Sequence, residues 1–482
     1  MSFTILKNYY HNQEFKYFLW VVIACSFLIL FWGLGSLQLM SLNEGRRALV
    51  IKEMYQTGDW LLPRLNGELY LTKPPLFYWF AMLFSSIHGA VNEWTLRLPS
   101  AVSALITCGV AYKFAQRRFG QLAAICTLVL LIANLGFAML ARRAEIEMLL
   151  TALCFGSLIS AIKYTEQQRR VWLYLSYGLL GLAVLTKGPV AMLFVTLPIL
   201  LVVFWRKDSI IRSIVVDWRA WGFFFIVALS WYALVTIRLG PDIWSLIVKR
   251  DMLEKMQGDT NVKPVLSYLG WITVDFLMLT GLFLIKPANT FRINFKQANF
   301  LLLIAAVLIP LLVFSLFSNK HAKYLLPIYP VIAILLGVHV RNLYQAASAG
   351  FRRAICLVGI LLPFALAIFY VYLESQIFSY RVAVFPEFQQ WSKKVELENI
   401  YAYDTVDSRL VYYASKPIKP VDKNGLSTLI MRQVPFVLLA EDSDHAVIPS
   451  SACKLKEFSP YLKKKKKLIA FGFGAICHAE FK

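Results

Sequence analysis

Leu42–Trp79, LNEGRRALVIKEMYQTGDWLLPRLNGELYLTKPPLFYW, interrupts a chain that is otherwise a succession of long apolar runs. It sets Glu44, Arg46, Arg47, Glu53, Asp59, Arg64, Glu68 and Lys73 among Trp60, Tyr70, Phe77, Tyr78 and Trp79. A plain connector between two spanning helices is short and polar, without bulky aromatics. This one is long and half apolar, and reads as a working loop held at a membrane surface.

The flanking composition supports a membrane setting. Of 482 residues, 58% are hydrophobic and 16% charged, against about 25% charged in soluble domains. The net charge of +22 does not point to nucleic acid, because Lys and Arg fall in clusters between apolar runs instead of forming one basic domain. The N-terminal stretch leads into a long apolar run without an A-x-A-like site, so an uncleaved first span is expected. A helix crossing a bilayer core of about 30 Å needs roughly 20 apolar residues. Runs of that size lie near 18–38, 97–116, 120–140, 146–164, 171–186, 188–205, 219–238, 267–285, 298–317, 324–340 and 353–373. The expected fold is an α-helical integral membrane protein with about eleven spans, up to about 13, and a small C-terminal soluble α/β domain. Pro74–Ala90 opens on two prolines and is short, and Pro241–Lys263 spaces Ile243, Leu246 and Ile247 helically; both read as surface-lying helices.

Basic turns set the orientation. Lys113/Arg117/Arg118, Lys163/Arg169/Arg170, Arg206/Lys207/Arg212, Lys286/Arg292/Lys296 and Arg341/Arg352/Arg353 all fall on one side, which the positive-inside rule makes cytoplasmic. The opposite face receives Leu42–Trp79, Ala141–Glu145, Lys187, Pro241–Lys263, Asn319–Lys323 and everything after about Leu373. That face is basic too, against the rule, which suggests an anionic ligand there. The domain division expected is 1–374, a multi-span domain with outer loops 41–96 and 240–265, followed by 375–482. In the latter, VELENIYAY, SRLVYYA, VPFVLLA and KLIAFGFGAICH look like strands. The run Lys463–Lys467 reads as a solvated edge or a headgroup contact. Cys25, Cys108, Cys126, Cys154 and Cys356 sit in apolar runs as small core residues. Cys453 and Cys477 would pair if their region faces an oxidising compartment.

Each charged group on the outer face has two readings. Glu44, placed just after the first span and followed by Arg46 and Arg47, suits a proton acceptor beside phosphate-holding guanidiniums, or an ordinary interfacial cluster. Lys73 is fixed at a corner by Pro74 and Pro75, where it could meet a phosphodiester or serve as an anchor. Arg142, Arg143, Glu145 and Glu147 stand at a boundary between spans, where an acidic side chain needs a cation or metal partner. Lys187, Lys320, His321, Lys323 and Tyr324 complete that face, with Arg64 a further candidate.

With RLPSA (Arg97–Ala101), LTKGPVA (Leu185–Ala191) and KYLLPIYP (Lys323–Pro330), the opening stretch resembles the polyprenyl-phosphate-sugar-dependent glycosyltransferases of the GT-C fold. The branch is that of the bacterial lipid A aminoarabinose transferases and protein O-mannosyltransferases. The resemblance covers roughly the first 340 residues. It implies an Asp-Glu pair in the first outer loop, and the matching positions here are Asn43 and Glu44. An amide cannot take a proton, so Glu44 is the candidate base. The resemblance also assigns roles to Arg46, Lys73 and Glu147; a glutamate usual before the lysine is Thr72 here.

The function implied is inverting transfer of a sugar from polyprenyl (undecaprenyl) phosphate. The acceptor would lie on the periplasmic side: lipid A or another lipopolysaccharide or cell-envelope glycan, or protein. The catalytic candidates are Glu44, Asn43 and Glu147, and the phosphate-binding candidates are Arg46, Lys73, Lys187, Lys320, His321 and Lys323. No nucleotide site is needed, because the lipid phosphate is the leaving group, and a divalent metal could be held through Glu44, Glu147 or His321. The rivals are a lipid-linked sugar flippase, for which Asp275 would line a pathway, and a catalytically degenerate lipid-binding relative.

Overall fold

The computed structural model describes residues 3–256, 263–277, 279–285, 298–395, 399–414, 417–442, 444, 448–460 and 467–478. The chain folds into two compact units, one of Met1–Trp32, Thr72–Phe80 and Arg97–Val371, the other of Gly33–Leu71, Ala81–Leu96 and Tyr372–Lys482.

Apolar helices dominate the first unit. Among the described residues, seven helices are long and apolar enough to cross a membrane, or eight if a bent pair counts as one span. That makes a multi-pass α-helical membrane protein. Each of the eleven apolar runs contains helix among its described residues, but several are not simple spans, and the run at 18–38 leaves helix after Phe31. The first helix, Phe3–Phe31, carries the polar sequence KNYYHNQEFK in its first half. Arg170–Lys187 is cationic at both ends. The run at 267–285 divides into Ser267–Asp275 and a 3-10 segment Leu279–Leu284, separated by Leu277 in the left-handed region at φ 52°.

The bent pair is Gln121–Ile132 and Leu135–Ala141, at 66°. Asn134 makes the break: its side chain accepts the Phe137 N–H at 2.8 Å and so begins a new helix instead of continuing the old one. At the end of that second piece, Arg142 is buried and donates to the carbonyls of Ile29 and Trp32 at 2.8 and 2.7 Å. These are carbonyls at the end of the first helix, and the guanidinium also lies 4.3 Å from the Tyr370 ring centre.

The second unit is built on a five-stranded sheet that runs, across its width, Ile418–Val421, Ile400–Tyr403, Phe436–Glu441, Leu468–Phe473 and Cys453–Glu457. β3 (Ile400–Tyr403) runs parallel to β4 (Ile418–Val421) and β5 (Phe436–Glu441), while β7 (Leu468–Phe473) runs antiparallel to β5 and to β6 (Cys453–Glu457). β5 and β7 are central and read as continuous apolar runs, as strands covered on both faces do. Phe436 and Phe473 stack at 4.5 Å within a core of Leu426, Leu438, Ile469 and Phe471. Cys453 and Cys477 form a disulfide.

One strand-like run is not a strand. SRLVYYA forms the helix Ser408–Tyr413, because Asp407 caps it by accepting the Arg409 N–H at 2.9 Å and local capping overrides the β propensity of Val and Tyr. Pro74–Ala90 and Pro241–Lys263 yield the helices Leu76–His88 and Asp242–Met256. The basic turn Lys286/Arg292/Lys296, residues 396–398 of VELENIYAY, residues 257–262 and Lys463–Lys466 lie outside the described residues. Lys467, the last lysine of its run, bonds to Glu457.

Helices of the first unit approach closely where side chains are small. A Cβ on Gly337, in the helix Tyr329–Ala346, would stand 2.6 Å from Thr127 Oγ1 and 2.9 Å from the Thr127 nitrogen. Gly337→Ala is therefore expected to cost about 1–3 kcal/mol, whereas Gly109→Ala, with no atom within 4 Å of its Cβ, is neutral or better. Thermal unfolding of the detergent-solubilised variants checks this, with only the first lowering Tm.

Candidate active site

In the first unit, the N-terminal end of the helix Ile146–Gln167 gathers most of the charge. Glu145 occupies its N-cap position and Glu147 its first turn, where carboxylates meet the positive end of the helix dipole. Lys187, in the last turn of its own helix, reaches Glu147 at 3.3 Å. Lys323, from the 3-10 turn Ala322–Ile328, bonds to Glu145 and stands 3.7 Å from Glu147. The carboxylate side chains are 8% and 5% exposed, so their charges need these cations. Lys187 also lies 4.7 Å from the centre of the Tyr324 ring, and His321 packs on that ring at 5.1 Å.

Carboxylate and ammonium alternate along Glu145, Lys323, Glu147 and Lys187. An anion arriving at these lysines competes with the carboxylates, which makes its binding sensitive to its charge and shape. His321 is held below its ordinary value, chiefly by burial and then by the cations Lys263, Lys323 and Lys187, with Glu147 opposing. It is neutral at pH 7.

Other candidates lie apart from this cluster. Lys320 is buried and donates to the carbonyls of Phe317 and Lys263, while Lys263 donates to the Lys320 carbonyl at 2.7 Å, so this pair ties two segments together. Arg142 caps the first helix as described, and Arg143 is half-buried beside it. Lys73 is half-buried ahead of Pro74 and Pro75, which lead into the helix Leu76–His88. Asp275 accepts a bond from the Tyr329 hydroxyl and packs against Gly136.

In the second unit the loop helix Leu42–Thr57 carries Glu44 with no exposed surface. Ser41 Oγ accepts the Glu44 N–H at 3.0 Å, and Glu44 Oε2 accepts the Met40 N–H at 2.8 Å. This is a variant of the capping box in which the glutamate accepts the N–H one residue before the N-cap, and Ser41-x-x-Glu44 is the sequence pattern. Asn43 is half-buried. Arg46 is exposed and lines a cavity of about 540 Å³ with Asp404, Asp407, Glu441 and Asp444. Arg47 is buried and donates to the Tyr70 hydroxyl at 3.5 Å. Arg64 donates to the Gly67 carbonyl at 3.1 Å within the hairpin of β1 (Arg64–Leu65) and β2 (Glu68–Leu69), whose turn is Asn66-Gly67.

The carboxylates do not assemble into a metal-ligand set. Glu147 is engaged by two lysines, and among the described residues no three His, Cys, Asp or Glu side chains come together.

Residues 72–232 match the family described as dolichyl-phosphate-mannose-protein mannosyltransferase, and residues 262–405 match the Alg9-like mannosyltransferase family. An uncharacterized protein of Aquifex aeolicus is 25% identical over 84% of this chain and 90% of its own length. The undecaprenyl phosphate-alpha-4-amino-4-deoxy-L-arabinose arabinosyl transferase of Shewanella sediminis is 28% identical over 69% of this chain, and the match spans 61% of that transferase. The crystal structures of ArnT from Cupriavidus metallidurans share the fold. The apo state superposes with a TM-score of 0.78 at 18% identity, over 95% of this chain and 98% of that one. The state bound to undecaprenyl phosphate gives 0.75 at 20%, over 94% and 97%.

Two outcomes follow from the cluster. Lys323→Met leaves two buried carboxylates with one fewer cation and costs about 3–5 kcal/mol, part of which the added Glu145→Gln restores in a double-mutant unfolding series. For His321, a folded value below the ordinary 6.5 means its contribution to stability is present above 6.5 and is lost as pH falls through the folded value. NMR titration of the imidazole should find a midpoint below 6.5 that moves upward when a polyprenyl phosphate is added.

Proposed function

We propose that this chain, which has the GT-C fold and is related to the polyprenyl-phosphate-dependent glycosyltransferases, is a membrane enzyme that moves a sugar from a polyprenyl phosphate carrier to an acceptor. It is a multi-pass inner-membrane protein. In finer detail we read about eleven spans. Residues 1–374 are then the catalytic membrane domain, with periplasmic loops 41–96 and 240–265, and 375–482 are a periplasmic α/β domain. The disulfide Cys453–Cys477 supports that side for the C-terminal region, since disulfides persist in oxidising compartments.

The observation that carries the reading is the lysine–carboxylate cluster of Glu145, Glu147, Lys187 and Lys323, with His321 alongside. The donor is a phosphodiester, and its leaving group becomes a phosphomonoester whose charge grows as the sugar departs. Lysines held in place by these carboxylates stabilise that growing charge most in the transition state. Lys73 in the first unit and Arg46 in the second are further phosphate-binding candidates.

An acceptor hydroxyl attacks the anomeric carbon from the side opposite the phosphate, the bond to phosphate breaks, and configuration inverts. Glu44 takes the hydroxyl proton; an acceptor phosphate arrives already ionised and only needs orienting. Asn43, beside Glu44, offers an amide to a sugar or acceptor hydroxyl and cannot serve as base. Undecaprenyl phosphate is the expected carrier, and lipid A or another envelope glycan the expected acceptor class, in line with the matched transferases.

Purified protein given labelled polyprenyl-phosphate sugars and a total envelope extract should move label to the extract. Glu44→Gln should slow that transfer by about 10²- to 10⁴-fold while polyprenyl phosphate still binds. Full transfer by the variant would remove Glu44 from the base role, and absence of transfer by the parent protein from every donor would remove the enzyme reading.

A further inference from the structure

Within the second unit, the segment that carries Glu44 is gripped by residues from far along the chain. Arg409, 1% exposed, lies in the short helix Ser408–Tyr413. Its Nε and Nη2 bond to the carboxylate of Asp407, with Nη2 at 2.6 Å, and its guanidinium lies 4.9 Å from the centre of the Phe385 ring. The remaining nitrogen, Nη1, donates to the carbonyl of Met40 at 3.3 Å. Met40 is the residue whose N–H donates to Glu44 Oε2.

The two bonds sit on either side of the Met40 Cα and together restrain its φ and ψ. Contact is close as well as polar. A Cβ on Gly45, the residue after Glu44, would fall 2.4 Å from Arg409 Cγ and 3.2 Å from its backbone nitrogen. Glycine at 45 is what lets the loop helix meet the Arg409 stem. Neighbouring ties act on other residues of the segment. The Tyr413 hydroxyl accepts the Leu39 N–H at 2.9 Å and donates to Glu93, and Lys52 donates to the Tyr412 carbonyl at 2.6 Å.

We infer that Arg409 is a positioning residue for catalysis: clamped by Asp407, it fixes the Met40 peptide that aims the Glu44 carboxylate. This deepens the proposed function and rests on Glu44 being the base. Lysine cannot replace the guanidinium, because a single ammonium cannot bond Asp407 along its fork and reach Met40 at once. A loosened Met40 takes a fixed donor away from Glu44. The charged carboxylate loses a bond that favours it, and the geometry of proton transfer spreads. The other charged groups packed on this segment are Asp407 and, through Tyr413, Glu93, with Arg46, Arg47 and Lys52 on the loop helix itself.

The test is the pH dependence of kcat for transfer, measured on full-length protein in detergent for Arg409→Lys, Tyr413→Phe and Glu44→Gln, each normalised to folded protein. Arg409→Lys should lower kcat by about 10- to 100-fold, leave KM for the lipid donor within about twofold, and move the acid limb of the profile to higher pH. Tyr413→Phe loosens Leu39 instead of Met40, so it should leave the limb in place. The inference is overturned if Arg409→Lys keeps the parent's kcat and limb once corrected for folded fraction, or if Tyr413→Phe moves the limb equally. A Glu44→Gln protein with full kcat would overturn the base assignment, and this inference with it. A collapsed Glu44→Gln beside an unchanged Arg409→Lys would overturn the positioning role alone.

Discussion

A carboxylate removed from water must be met by a cation or by hydrogen-bond donors, or it will take up a proton. Glu145 and Glu147 satisfy that requirement with Lys323 between them and Lys187 on the second. The requirement reaches well beyond the four side chains. It fixes where the helix Ile146–Gln167 begins, where Arg170–Lys187 ends and how the 3-10 turn Ala322–Ile328 is seated. Three elements distant in sequence are thereby brought to one charged locus at the ends of apolar helices.

The second unit solves the same problem differently. Glu44 is buried, its backbone N–H donates to Ser41 Oγ, and its carboxylate accepts the Met40 N–H. Backbone donors are rigid and cannot be displaced by a substrate anion, whereas lysines can turn toward one. On the proposed reading, the base is aimed by a fixed peptide N–H, and the phosphate's growing charge is met by lysines already placed among the carboxylates. The fold is shared with ArnT from Cupriavidus metallidurans, whose crystal structure holds undecaprenyl phosphate.

Much of this was legible in local patterns. The apolar runs locate the helices, and the polar stretch at 42–79 marks the loop helix and hairpin. Ser41-x-x-Glu44 was legible too, as a capping-box pattern, and shows that Glu44 has a structural duty beside any chemical one. The break at Asn134 was harder, because a single capping side chain inside a continuous apolar run leaves hydropathy unchanged. SRLVYYA misled because β-branched and aromatic composition was weighed above the Asp407 cap. Arg409 could not be found at all from spacing, since its partner Met40 lies in a different part of the chain and neither residue forms a motif with the other. Lys320 and Lys323 differ by three positions and look alike in sequence, yet one bonds backbone carbonyls and the other bonds carboxylates.

Whether the lipid phosphate leaves the sugar on this protein is the point on which the account turns, and phosphorus NMR reads it directly. A synthetic polyprenyl-phosphate sugar is incubated with the purified protein and acceptor extract, and the phosphodiester signal is followed alongside the anomeric configuration of the product. The account predicts conversion of diester to monoester in step with sugar appearing on the acceptor, with inverted configuration. A donor that stays diester while it binds the protein, or crosses a vesicle bilayer intact, would contradict it.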